Sequence, residues 1–324
     1  MGTVLQILFV TFPFFALVLC GYLAASRRML PLEAIAGLNG FVLFFALPCM
    51  LYRLGSSMPL ARLLDGGVFF IWTLCALITV AITIAVSKKA RIGWNDASFG
   101  ALVAAFPNTG FMGVPLLVAL LGASAAGPVI LTMLVDMVIT TSLCIALSRL
   151  DGADEHGVSK AARNALKGVA TNPLPWSILL GALASAVSLE LPKPVMQTVG
   201  LLADAASPVA LFTIGAVLAR SQMLAKLQQH PPTPLRDYLP VAAIKLLLHP
   251  LLVLVTGRLA VALGLPLSGF ALTVIVLAAA LPSASNVSLL AERFGADNGR
   301  IARIILLSTA TAFLTFSVAV SCFT

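Results

Sequence analysis

Along most of its length the chain repeats one pattern, a run of mostly apolar residues followed by a short polar stretch. A helix that crosses a bilayer needs roughly 20 such residues. Ten stretches qualify: 4–25, 34–52, 67–87, 97–121, 128–148, 174–189, 195–219, 239–263, 267–290 and 300–323. The sixth is short, and tilt or local thinning of the bilayer has to absorb the difference. The pattern predicts an all-α polytopic membrane protein.

The fourth and ninth stretches are interrupted. One contains Ala104-Ala105-Phe106-Pro107-Asn108-Thr109-Gly110-Phe111-Met112-Gly113-Val114-Pro115, the other Ala279-Ala280-Leu281-Pro282-Ser283-Ala284-Ser285-Asn286. In each, two alanines and a large apolar residue lead into a proline, which removes a backbone donor and clashes with the preceding turn, so the helix must break. Lipid cannot satisfy the freed backbone groups. A break at that depth is tolerable only where it is buried in protein or lines a wet cavity. Paired interruptions at corresponding places in two halves of a chain point to the substrate site of a membrane carrier.

Composition agrees with this reading: 60% of the 324 residues are hydrophobic and 10% are charged, against about 25% charged in soluble domains. The mean hydropathy is +1.05. The net charge of +8 is spread over short inter-helix stretches and forms no basic patch with interleaved aromatics, which argues against nucleic acid as a partner. It reads instead as a topology signal. Odd-numbered connections hold fifteen Lys and Arg, even-numbered ones only Arg53, Arg62 and Lys193. That bias places the odd connections in the cytoplasm and both termini on the outer side of a cytoplasmic (inner) membrane. The five cysteines lie in apolar runs without metal-ligand spacing and read as small buried hydrophobes, so neither a metal nor a cofactor is expected. No basic segment or cleavage site precedes the first apolar run, which is expected to stay as a helix.

The longest connection, 149–173, is polar and mixed in charge and divides the chain into repeats at 1–148 and 174–324, five helices each. Five is odd, so the second half enters the membrane in the opposite sense and similarity between the halves means an inverted repeat. That similarity is visible. Pro48-Cys49-Met50-Leu51-Tyr52-Arg53-Leu54-Gly55 matches Pro208-Val209-Ala210-Leu211-Phe212-Thr213-Ile214-Gly215 in residue type, and the two breaks match each other.

The candidate substrate residues are Asn108, Thr109 and Gly110 at the first break and Ser283, Ser285 and Asn286 at the second. They offer short polar side chains and close backbone approach, beside half-helix starts whose N–H groups favour an anion. Capping of the broken helices is the competing role. Charged residues inside spans are expensive and usually functional. Asp136 and Asp204 are expected to lie too deep to reach water easily, and each reads either as a site for a coupling proton or cation or as a structural tie to Lys245, Arg258 or a backbone donor. Lys245 and His249 share a face of the eighth helix. Snorkelling alone would account for Lys245, and a satisfied core histidine competes with a proton relay at His249. Asn39 on the second helix reads as an interhelical hydrogen bond more than as part of a substrate path.

The runs FPNTGFMGVPLL at 106–117, LPSASNVSLLAERFG at 281–295, KLLLHP at 245–250 and LNGFVLFFALP at 38–48 resemble the auxin efflux carrier family in its bacterial branch, over essentially the whole chain. The resemblance implies ten helices in a bile-acid-symporter-like architecture, with a scaffold domain and a transport domain whose fourth and ninth helices cross at Pro107 and Pro282. It also implies transport of small organic anions, among them indole-3-acetate and dicarboxylates such as malonate or malate, with Asn108 and Asn286 as site residues. The oligomeric state stays open, a homodimer included.

Two other readings compete. A sodium-coupled symporter of the bile-acid type would ask for a cluster of carboxylate and amide oxygens around the crossing, and acidic residues are absent from both break motifs. An intramembrane aspartyl protease built on Asp136 and Asp204 would ask for a Gly-x-Gly-Asp signature, whereas the contexts are Met133-Leu134-Val135-Asp136 and Leu202-Ala203-Asp204.

Overall fold

A computed structural model describes residues 2–57, 65–88, 92–150, 173–227 and 234–323. Among the described residues all regular structure is helical. The elements are α1 (Gly2–Ser26), α2 (Ala34–Ser56), α3 (Gly66–Ser87), α4a (Trp94–Ala105), α4b (Thr109–Leu121), α5 (Ala123–Leu147), α6 (Pro173–Ala186), α7 (Lys193–Leu227), α8 (Leu235–Ala262), α9a (Gly269–Ala280), α9b (Asn286–Arg293) and α10 (Asn298–Ser321). Six of them, α2, α3, α5, α7, α8 and α10, are long and apolar enough to cross a membrane. The protein is a polytopic helical membrane protein. Most of the polar connection expected at 149–173 lies outside the described residues.

Several helix starts carry side-chain caps. Asp65 accepts from the amide of Val68, Ser268 from Ala271 and Asp297 from Arg300, each satisfying a donor that the first turn leaves without an intrahelical partner. Four helical segments widen into a π turn: Val42–Ala46 in α2, Thr109–Gly113 at the start of α4b, Asp136–Thr140 in α5 and Ile244–Leu248 in α8.

The helices pack as two groups. In one, α1 lies along α7, and α2 lies along α6 and α7; in the other, α3, α4, α5, α8, α9 and α10 surround the two breaks, with α1 and α7 touching α10 and α4b across the boundary. Glycines set the closest approaches in the first group. A methyl on Gly21 of α1 would overlap the Phe212 carbonyl of α7, and one on Gly215 of α7 would overlap the Val18 carbonyl of α1. At the α2–α6 contact the same holds for Gly55 against the Ile178 carbonyl and Gly181 against the Tyr52 carbonyl. Small residues let membrane helices approach this closely, and the packing they allow takes the place of a hydrophobic driving force.

Candidate functional site: the crossing of two broken helices

Pro107 has no N–H, and its ring bars the residue before it from the helical region. Phe106 is accordingly extended (φ −101°, ψ 98°), and so is Leu281 before Pro282 (φ −63°, ψ 155°). The two extended links meet. The amide of Asn108 donates to the carbonyl of Pro282 (2.8 Å), and the amide of Ala284 donates to the carbonyl of Phe106 (3.0 Å), with Pro107 opposite Ser283 in an antiparallel bridge. The amide of Ser283 donates to Ser308 Oγ on α10 (3.2 Å). The backbone groups freed by each break are thus partly satisfied by the other break, a pairing that neither segment reveals alone. Leu281 also lies against Gly113, where a methyl would come 2.7 Å from its Cδ1, so the second glycine of the first motif is there for packing. Gly110 faces Met133 Sδ in the same way, at 3.2 Å from a built Cβ.

Polar side chains at the crossing are buried but unsatisfied. Asn108, Thr109, Ser283 and Ser285 are all buried, and Asn108 Oδ1, Thr109 Oγ1, Ser283 Oγ and Asn286 Oδ1 have no hydrogen-bond partner among the described residues. Each such group costs about 1 to 3 kcal/mol. The crossing therefore holds several hydrogen-bonding groups ready for something to bind. Capping does not account for them, since none of these side chains makes a cap hydrogen bond at the start of α4b or α9b.

Beside the crossing a narrow cleft runs between the two helix groups. Ser285 and Asn286 of the second break and Phe111 of α4b line one side; Asn39 of α2 and Thr213 of α7 line the other. Asn39 is therefore a wall of the cleft, where a peripheral interhelical bond was the expectation. Its place could not be inferred without knowing that α2 and α7 face the second break. Among these five lining residues none is charged.

The charged candidates separate. Asp204 is exposed, with its Oδ1 2.8 Å from Arg53 Nη1, and Arg53 itself lies within α2 rather than in a connection. The tie expected for Asp204 to Lys245, Arg258 or a backbone donor is corrected: its partner is Arg53.

Lys245, in contrast, does not snorkel. It is fully buried, donates to the Ala279 carbonyl (2.8 Å) and lies 3.3 Å from His249 Nδ1. The reason is the break in α9. Its first half ends at Ala280, and the last carbonyls of a helix have no intrahelical partner, so an ammonium placed there fills a need that lipid could not. Asp136 is also fully buried, and its Oδ1 accepts from Trp72 Nε1 and Thr140 Oγ1, both at 3.0 Å. The rings of Trp72 and His249 lie 5.3 Å apart, so Trp72 touches both ends of the cluster.

One buried residue carries no signal in the sequence beyond its charge. Arg300, which counts there only toward the cytoplasmic positive bias, is 2% exposed. Its guanidinium donates to the carbonyls of Asp237 and Asp96 (2.8 Å each) and to Ser87 Oγ (3.2 Å), tying the starts of α8, α4a and α10 to the end of α3. Its position at a span end makes it indistinguishable in sequence from a topology charge.

Comparison with known proteins gives the site a context. Residues 6–320 match the model of a family described as "Membrane transport protein". A protein of Rhizobium meliloti (strain 1021) named "Putative malonate transporter" is 29% identical over 298 residues, which cover 92% of this chain and 89% of the relative. An "Uncharacterized transporter YfdV" of Escherichia coli (strain K12) is 27% identical, covering 87% of this chain and 86% of the relative. An "Uncharacterized transporter" of Methanothermobacter thermautotrophicus is 27% identical, over 90% of each chain.

Proposed function

The chain belongs to the membrane transport protein family, the auxin efflux carriers, and from that premise we propose that it is a secondary carrier moving a small organic carboxylate by alternating access around the crossing of α4 and α9. The observation that carries the proposal is the hydrogen-bonded crossing, where Asn108, Thr109, Ser283 and Asn286 each hold a buried, unpartnered polar atom. Hydroxyls and amides can donate to a carboxylate without adding a charge that must itself be desolvated. The half-helices that begin at Thr109 and Asn286 add their positive ends. Malonate-like dicarboxylates head the substrate class, in keeping with the name of the rhizobial relative.

The architecture proposed is ten helices in two inverted sets of five, 1–148 and 174–324, with α1, α2, α6 and α7 as scaffold and the other helices as the moving part. Two things support it beyond the matched motifs. Gly21 and Gly181 are separated by the same interval as Gly55 and Gly215 and as Pro48 and Pro208. The contacts follow suit: Gly21 meets Phe212 as Gly181 meets Tyr52, and Gly215 meets Val18 as Gly55 meets Ile178, as a two-fold exchange of the halves requires. The Lys and Arg bias places the odd connections in the cytoplasm of an inner membrane and both termini outside.

A screen of the purified protein against small mono- and dicarboxylates by thermal shift, followed by uptake of the binders into proteoliposomes, tests the function. Stabilisation and saturable uptake of at least one carboxylate are expected. Failure of every carboxylate to bind or to be carried would overturn the proposal.

A further inference from the structure

We propose that Asp136 is a proton-binding site of this carrier and that a protonated Asp136 hands the charge of Lys245 over to the transported anion. Granting that the crossing binds the anion, the geometry leads there in three steps.

Lys245 is the link to the crossing. Its Nζ holds the carbonyl of Ala279, three residues before Pro282 on the same half-helix that leads into the break. Asp136 and Lys245 each sit on a π turn, of α5 and α8 respectively. Such turns are rare and concentrate at functional places in helices.

The second step is the free valence of the cluster. Asp136 Oδ1 is occupied by Trp72 and Thr140, but Oδ2 is buried without a partner, and so is His249 Nε2. An ammonium can only donate, so with Lys245 charged the 3.3 Å contact makes His249 Nδ1 the acceptor and puts the imidazole proton on Nε2. The remaining groups that face the cluster carry no compensating charge. Cys144 lies near Asp136 on α5, and Cys75 of α3 bonds to Thr256 of α8. The α9a half-helix has no ionisable residue in its sequence. Asp96, Asp237 and Arg300, on α4a, α8 and α10, are gathered with Asp297 at the helix ends. Arg258 of α8 is exposed.

The third step is charge balance. Asp136 ionised and Lys245 charged together sum to zero. A proton taken from solution onto Oδ2 forms one O–H bond, breaks none in the protein and leaves the buried ammonium without a counter-charge. An anion at the break then supplies it. Proton and anion bind as a pair, one proton for each anion, and each improves the affinity of the other by the same factor.

The test uses the full-length protein with malonate as probe, and the other carboxylates of the screen if malonate does not bind. Binding is measured from pH 6 to pH 8.5 together with proton uptake in weakly buffered solution. The parent protein should take up close to one proton per anion, and its affinity should fall several-fold to tenfold per unit as pH rises within the titration range. Asp136→Asn, which keeps the acceptor for Trp72 and Thr140, should bind with no pH slope beyond the ligand's own and without that proton. Lys245→Met should bind at least tenfold more weakly; because it strands the Asp136 charge, the Asp136→Asn/Lys245→Met double variant, which removes both charges, is compared with Asp136→Asn and should show the same tenfold loss. Binding by the parent without proton uptake, an unaltered uptake in Asp136→Asn, or a double variant as tight as Asp136→Asn overturns this inference and leaves the carrier intact. Binding of no carboxylate at all overturns the carrier, and this with it.

Discussion

The amide of Asn108 lies 2.8 Å from the carbonyl oxygen of Pro282 and donates to it, so the two broken helices share backbone hydrogen bonds at the point where each loses its own. A local movement of one break must move or tear the other. Side chains placed on either link therefore respond to a ligand together, and the polar residues of the crossing are where substitutions should read out first.

Asn108→Ala and Asn286→Ala are each expected to weaken carboxylate binding at least tenfold while the protein still inserts and purifies. A hydrogen bond to a charged group is worth about 1.5 to 3 kcal/mol, or roughly 10- to 150-fold. Asn39→Ala should weaken binding too, because Asn39 lines the same cleft as Asn286. Isothermal titration of the three variants against the best ligand of the screen decides this, and parental affinity in both break variants would make the crossing architectural only.

Arg53 and Asp204 form an ion pair on the outside of the protein, with side-chain exposures of 39% and 69%. A pair of this kind that reaches water contributes about 0 to 1 kcal/mol. Asp204→Asn is expected to leave both the melting temperature and the pH profile of transport nearly unchanged. A pH profile altered by this substitution would restore Asp204 as a coupling residue.

Arg300 should matter for stability far more than a charge at a helix end normally does. Removing its side chain takes away its hydrogen bonds to the Asp96 and Asp237 carbonyls and to Ser87 Oγ, and a hydrogen bond to a charged group contributes about 1.5 to 3 kcal/mol. Arg300→Ala is expected to lower the detergent melting temperature sharply. Arg300→Lys should recover only part of the loss, since an ammonium cannot reproduce the fork of the guanidinium. Fluorescence-detected size exclusion after heating measures both.

The close helix contacts predict a paired response. Gly21→Ala and Gly215→Ala each force a methyl onto backbone across the α1–α7 contact, and Gly55→Ala and Gly181→Ala do so across the α2–α6 contact. Overpacking of this kind costs about 1 to 3 kcal/mol. Gly37, with nothing near its Cβ position, should accept alanine without loss. Similar melting losses at all four crowded glycines, beside an unchanged Gly37→Ala, are the expected pattern.

For topology, a reporter fused after Thr324 should read as periplasmic, and one inserted in the long connection near Glu155 should read as cytoplasmic. The opposite result at both sites would reverse the orientation drawn from the charge bias.

The features legible in the amino-acid sequence are those with local causes. The two prolines announce the breaks because a missing donor and a ring clash act locally, whatever surrounds them. The apolar runs likewise place most helix ends to within a few residues, as the eighth run at 239–263 becomes α8 at Leu235–Ala262, but α7 runs on to Leu227, eight residues past the apolar run that marks it. What stays hidden depends on neighbours brought together by folding. Asn39 gains its cleft from the way α2 and α7 face the second break, and Lys245 gains its partner from the orphaned end of α9a. Arg300 is an arginine at the end of an apolar run, and only the carbonyls gathered around it distinguish it from one that faces water. The π turns leave no compositional trace either.

Those π turns have a consequence for how the chain could have been edited over its history. A π turn holds one more residue than an α-helix needs, and one residue is worth about 100° of rotation. The wider turn absorbs that residue locally, so the helix on either side faces nearly as it would without it. Deleting one residue from Asp136–Thr140 would let the turn close and leave the remainder of α5, Cys144 and Ile145 included, facing much as before, whereas the same deletion in a regular stretch of α5 would swing everything beyond it by that angle. The π turns of α5 and α8 are thus the places where these helices have room to lose or gain a residue while the packing on either side stays in register, and they are the places that carry Asp136 and Lys245.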